Sequence, residues 1–400
     1  DPRKGDFYHG LLSIRVFRLI LRLENAPPYT GSILSGIAIE SGAMRHVLFA
    51  ALLALALAAA PRPATPLFQK IQIHHGASET AAFADLNRDG KLDLISGDTW
   101  YQAPNWQPRP FREIDFANQY VDNFSDLPLD VDNDGWTDIA SCSWFSRKLA
   151  WWKNPGKAAG PWKESVIETG FPIEFCFLVD LNNDGRALEI LPQFGNAKAP
   201  LKWYEVNNGT FTAHTAAPNS FGHGIGAGDI NGDGRTDILT PKGWLEAPAD
   251  PRSPNWTFHK TWDLGSTGFM HVLDLNGDGH ADILTSLAHD FGIFWLEQPA
   301  DPRAGEWKRQ NVDDSWSQAH ALTLTDLHGG TRTGLLTGKR YMAHNGKDPG
   351  ERDPLGVYWY ELIPGPRPQW VRHILDYSTR TGGGMQMPVA DLNGDGRPDF

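Results

Sequence analysis

Cysteine is almost missing from this chain. Cys142 and Cys176 are the whole complement, too few for the disulfide framework that staples small secreted domains. They fall in neighbouring repeats, which leaves open either one bridge or two separate buried thiols. Long amphipathic helical patterns are also missing, as are G-x-S-x-G, H-E-x-x-H and phosphate-loop motifs. Their absence removes the sequence grounds for an α/β-hydrolase, a helix-borne zinc protease or a P-loop enzyme. Basic charge is in deficit: a net charge of -12 has the wrong sign for a nucleic-acid partner. The one long apolar run, 47–60, is short of the roughly 20 residues that span a bilayer.

Glycine (41), proline (29) and tryptophan (16) are plentiful, which suits many short strands joined by tight turns, each strand burying an aromatic ring. From Met44 the chain reads MRHVLFAALLALALAAAPRPA: a methionine, the basic pair Arg45-His46, an apolar stretch, then small residues suited to a signal peptidase. The expectation is a cleaved export signal at 44–64 and over-extended translation at 1–43. The mature chain, 65–400, would then be periplasmic or extracellular with no stable membrane span. A genuine N-terminal extension with an internal membrane anchor is the alternative.

A single phrase recurs seven times: DLNRDGKLDLI from Asp85, DVDNDGWTDIA from Asp130, DLNNDGRALEIL from Asp180, DINGDGRTDIL from Asp229, DLNGDGHADIL from Asp274, DLHGGTRTGLL from Asp326 and DLNGDGRPDF from Asp391. Successive starts lie 45, 50, 49, 45, 52 and 65 residues apart, the period of a propeller or solenoid. An apolar strand precedes each loop and a second follows it. A third carries Trp-x-Glu or a variant (Trp100, Trp151, Trp203, Trp244, Trp295, Trp359), and a fourth alternates after an aromatic residue, as in WTFHKTW from Trp256 and WVRHILD from Trp370. The predicted fold is therefore all-β: a seven-bladed β-propeller with four-stranded antiparallel blades. FQKIQIHH from Phe68 reads as a lone fourth strand, predicted to close the ring by completing a last blade that is truncated at Phe400.

In the recurring loop, oxygen-bearing side chains at positions 1, 3, 5 and 9, with the backbone carbonyl of position 7, would converge on one calcium ion, and glycine at position 6 permits the sharp turn. Five loops carry the full set: Asp85, Asn87, Asp89 and Asp93; Asp130, Asp132, Asp134 and Asp138; Asp229, Asn231, Asp233 and Asp237; Asp274, Asn276, Asp278 and Asp282; Asp391, Asn393, Asp395 and Asp399. The loop of Asp180, Asn182 and Asp184 has its acid one place late, at Glu189, so a longer side chain must reach back for a weaker site. The Asp326 loop, with His328, Gly330 and Gly334 at ligand positions, is expected to be empty. EF-hands are disfavoured because position 12 is Ser96, Ser141, Thr240 or Thr285 within a β-type run. Residues 67–400 resemble the FG-GAP/VCBS repeat family, which implies integrin-like blades with calcium in the turn between their first two strands.

A position six residues upstream of each loop lies about 20 Å from it, at the other end of the innermost strand. The seven units carry Glu79, Phe124, Glu174, His223, Gly268, His320 and Met385 there. Two histidines and two glutamates on one ring suit zinc or a related transition metal, or an acid–base pair; the bland alternative is a hydrated polar channel. Loops opening on the same face supply His289, Asp290 and the long insertion GKRYMAHNGKDPGERDPLG from Gly338. The expected site joins His223, His320 and His344 with Glu174 nearby, and Lys339, Arg340 and Tyr341 closing over the ligand. His214, His259 and His373 are expected to pack blades, and His271 to face away from the ring.

Two functional classes follow. The blade grammar and polar mouth resemble the propeller domain of the aldos-2-ulose dehydratases, which implies a metal-assisted carbon–oxygen lyase acting on carbohydrate. The other class is a non-catalytic module binding a glycan, a small polyol or a protein.

Overall fold

The computed structural model describes residues 64–400, apart from 159 and 342. The expected 1–43 extension and the signal at 44–64 lie outside the described residues, Ala64 excepted. No described helix is long and apolar enough to cross a membrane.

Strands follow one another as antiparallel meanders. One sheet joins Ala82–Ala84, Asp93–Ser96, Thr99–Gln102 and Gln107–Pro110. A second joins Ser125–Leu129, Asp138–Cys142, Lys148–Lys153 and Lys163–Thr169; a third joins Ile173–Val179, Glu189–Phe194, Leu201–Asn207 and Thr210–Ala217. Another of the same order is built from Ala319–Leu324, Gly334–Lys339, Gly356–Ile363 and Gln369–Tyr377. Each begins on the strand before a repeated loop, so the repeat is the sheet.

Seven separate blades are not what forms. Four sheets of four strands stand alone, whereas the units of Asp229 and Asp274 share one eight-stranded sheet, through parallel pairing of Ile225–Gly228 with Phe269–Leu273. The reason is local. A β-carbon on Gly226 would overlap the carbonyl oxygen of Met270, so glycine lets two innermost strands approach to hydrogen-bonding distance. The Asp391 unit contributes only the bridge between Ala390 and Asp399.

The closing strand is a second correction, because FQKIQIHH carries no strand. A strand needs an unpaired edge, and that unit offers only one bridge. The segment is instead held by side chains: Lys70 to Asp376 at 2.8 Å, Thr65 to His373 at 3.1 Å, and Phe68 edge-on to Phe400. The ends of the repeat array do meet further in, where the Met385 N–H donates to the Glu79 carbonyl and the Gln386 side chain bonds both backbone groups of Asp126.

The Trp-x-Glu grammar forms a recurring rung. Trp203, Trp244 and Trp359 are fully buried and lie against His214, His259 and His373 at ring separations of 4.3, 4.5 and 5.0 Å. Each histidine hydrogen-bonds the glutamate two residues after its tryptophan. Arg252 and Arg303 then reach Glu205 and Glu246 in the preceding unit. These three histidines thus pack the sheets, and His271 bonds the Leu322 carbonyl.

Candidate metal centre

Strand ends and turns, brought to one place, build the centre. Glu174 sits at the start of Ile173–Val179, and His320 on Ala319–Leu324. His223 precedes Ile225–Gly228, while His289 lies in the turn between Asp282–Ser286 and Phe291–Glu297. One ligand atom from each of the four falls within 4.8 Å of all the others. Gly268, the next ring position, lies against His320: a β-carbon there would stand 2.8 Å from the His320 carbonyl oxygen.

Hydrogen bonds fix the tautomers. Nδ1–H of His223 donates to the Thr267 carbonyl at 2.7 Å, and Nδ1–H of His289 donates to Asp348 at 2.9 Å. Both rings therefore turn Nε2 inward, where the two nitrogens are 3.1 Å apart. Glu174 places one oxygen 2.7 Å from His223 Nε2 and the other 3.2 Å from His320 Nε2. The latter contact is close but not aligned for a hydrogen bond, so both nitrogens of buried His320 lack a partner. An orphaned imidazole this deep needs a ligand to balance its burial.

The electrostatics agree with that demand. Burial works to raise the Glu174 carboxyl, yet His223 and His320 hold it well below the usual range. Burial pushes His289 down to about 2, with His320 and His223 adding to the effect. It takes His320 to about 4 against the pull of Glu174. His223 alone is raised, by Glu174, against its own burial. Burial keeps His289 and His320 neutral, whereas His223, raised by Glu174, would give up its Nε2 proton on binding a dication. Three imidazoles with a carboxylate are the donor set of a borderline dication such as zinc, and the outer bonds of His223 and His289 to a carbonyl and a carboxylate are the kind that orient metal ligands.

Of the other expected site residues, His344 stacks on His289 at 4.2 Å and donates Nδ1–H to the second oxygen of Asp348, outside the group of four. Arg340 forms two bonds to Glu79, and its Nη1 lies 3.5 Å from Glu174. Lys339 and Tyr341 do not close over the centre. Lys339 ends the strand Gly334–Lys339 and is fully buried against Ser317, whereas Tyr341 lies in a bend past the strand end and is 65% exposed. Sequence reasoning placed His289 on the right face without recognising it as a member of the group. It passed over Asp348, whose only signal was its place in the long insertion.

At the far ends of the strands, every repeated loop but that of Asp326 shares one frame. The carboxylate at position 1 accepts backbone N–H groups from positions 5 and 6, as Asp229 does from Asp233 and Gly234. The acid at position 9 is buried and ties the loop to the third strand: Asp237 accepts from Ile230 and Ala247, and Asp93, Asp138 and Asp282 repeat the pattern. Burial pushes Asp93 and Asp282 up to about 6, and Asp138 and Asp237 up to about 7. Among the described residues, Asp130, Asp132 and Asp138 are the acidic trio whose oxygens converge. Lys153 sits between Asp132 and Asp134 there. Glu189 reaches back to Asn182 at 2.9 Å. In the Asp326 loop, Arg332 donates to Glu361 at 2.8 Å.

Residues 130–191 match the FG-GAP-like repeat family model. The chain is a β-propeller with FG-GAP-like repeats. No curated protein matches this propeller in sequence. Among solved structures it is similar to the Myceliophteria thermophila Cps50 (Swd1) β-propeller domain, at 14% identity and a TM-score of 0.44 over 82% of this chain and 97% of that one. It is similar also to the Vibrio cholerae biofilm matrix protein Bap1, at 13% identity and 0.38 over 84% and 79%. The Aleuria aurantia lectin follows at 14% identity and 0.35, over 78% and 97%.

Proposed function

We propose that this propeller is an exported, calcium-stabilised protein whose channel mouth carries a transition-metal centre, zinc by its donor set, for carbon–oxygen lyase chemistry on a carbohydrate-derived hydroxy-ketone. The observation that carries the reading is the convergence of Glu174, His223, His289 and His320 on one point, with His320 otherwise unpartnered. Those four residues would hold the metal, which supplies a Lewis acid able to polarise a carbonyl oxygen. His344, 53% exposed at its side chain and oriented by Asp348, offers Nε2 for moving a proton at the neighbouring carbon. Arg340 offers a fixed positive charge beside Glu174. The repeated loops are assigned calcium and a structural role, since they lie about 20 Å from the mouth.

Anomalous scattering at the zinc edge, with metal analysis of protein prepared without chelator, tests the assignment. Zinc is expected at the convergence point, lost in His223→Ala and in His320→Ala with calcium content nearly intact. Sugar binding without any transition metal would leave the non-catalytic glycan-binding module as the reading, which the aromatic residues beside Glu174 also suit.

A further inference from the structure

Next to the centre lies a cavity of about 390 Å³, lined by Glu174 and Arg340 together with Tyr120, Phe124, Trp144 and Phe145. Three of the aromatic rings form a continuous wall: Tyr120, Phe124 and Phe145 have centroids 6.0 to 6.3 Å apart. Arg340 is unusual in its company. Its side chain is 3% exposed, and Nε and Nη2 are spent on Glu79 at 3.0 and 2.7 Å. That two-point contact fixes the guanidinium plane. Nη1 makes no hydrogen bond although it is buried, with Glu174 misaligned at 3.5 Å. A cationic N–H withheld from water beside a hollow is not core packing, because a buried donor without an acceptor is strongly penalised. An oxygen from a ligand would satisfy it. The aromatic wall sets the other half of the specification, since rings with a flat apolar face stack on such walls and open polar chains gain little there.

Building on the metal-centre reading, we propose that this cavity takes a small ring compound with one apolar face and a carbonyl or ionised oxygen. The ring lies against Tyr120 and Trp144, and the oxygen is shared between the metal and Nη1 of Arg340. The assignment concerns binding and requires no bond to be made or broken.

Cobalt(II) in place of zinc gives a visible spectrum that reports on oxygen donors at the metal. The full chain loaded with cobalt is titrated with benzohydroxamate and acetohydroxamate, which present the same ionised oxygens and differ in the ring. Both should shift the cobalt bands, with the benzo compound binding about tenfold tighter. Trp144→Leu should abolish that preference. Arg340→Lys should weaken both compounds more than about tenfold while retaining cobalt. Should Arg340→Lys fail to fold, Glu79→Gln, which frees the guanidinium plane, must weaken both in its place. Equal affinities for the two compounds overturn the ring, and unchanged affinities in the Arg340 and Glu79 variants overturn the shared oxygen. Cobalt bands that neither compound moves overturn this inference alone, whereas a chain that binds no cobalt removes the metal reading and this inference with it.

Discussion

Asp348 accepts hydrogen bonds from two imidazoles, one oxygen to His289 and the other to His344. The first bond turns His289 Nε2 toward the group of four, so Asp348→Asn is expected to cost zinc affinity about 10- to 100-fold. Competition with a fluorescent zinc chelator measures it. His344→Ala should leave that affinity nearly unchanged, because His344 lies outside the group; a comparable loss would place it among the ligands. A second residue-scale expectation concerns acid. The hydrogen bond from Arg252, joined by His214, holds Glu205 below the usual carboxylate range. A carboxylate depressed in the folded state stabilises the fold above its unfolded value and loses that contribution as pH falls through the folded one. The stability advantage of the natural chain over Glu205→Gln should therefore be full at neutral pH and shrink below about pH 4, as read by urea unfolding at a series of pH values. An advantage that grows on acidification would contradict the pairing.

At the scale of strands, the eight-stranded sheet depends on Gly226. Gly226→Val drives a side chain into the Met270 carbonyl, and overpacking of this kind is expected to cost about 1–3 kcal/mol or more, measured as a shift of the urea midpoint. A neutral substitution would show that the two units tolerate separation. This junction also marks where sequence reading stops. The repeats, loop positions, Trp-x-Glu rungs and the facing of His223, His320 and Glu174 were legible, because each recurs at a fixed offset and strand alternation carries the rest. Gly226 recurs nowhere as a signal of parallel pairing; it reads as an ordinary small residue until Met270 lies opposite. His289 was harder to assign because it sits on a turn, where no register fixes direction. Lys339, Arg340 and Tyr341 are expected from the sequence to close over the ligand together, although alternation sends Arg340 to the side opposite Lys339 and the strand ends before Tyr341.

For the whole molecule, the question is what holds a ring of short sheets together. Hydrophobic packing continues from sheet to sheet through a shared core that runs from Phe124 to Met385, so the units gain stability from their neighbours. The repeated loops work against this when metal-free, since four of them keep a buried position-9 acid, Asp93, Asp138, Asp237 and Asp282, near more exposed carboxylates such as Asp233. A dication shared by those oxygens offsets the repulsion, and a ligand that binds only the folded state raises its stability. Removal of calcium with a chelator is expected to lower the melting temperature by many degrees in one cooperative transition, with re-addition restoring it. Asp233→Ala should reproduce part of the loss, because it deletes a ligand from a complete loop. Asp326→Ala should not, because that loop, with His328, Gly330 and Gly334 at ligand positions, is ligand-poor and would have no calcium to lose. Calorimetry of the three proteins with and without calcium separates the outcomes. A melt that chelation leaves unchanged would refute calcium stabilisation of the propeller, and an Asp326→Ala loss equal to that of Asp233→Ala would show the aspartates to be turn formers whose worth is hydrogen bonding alone.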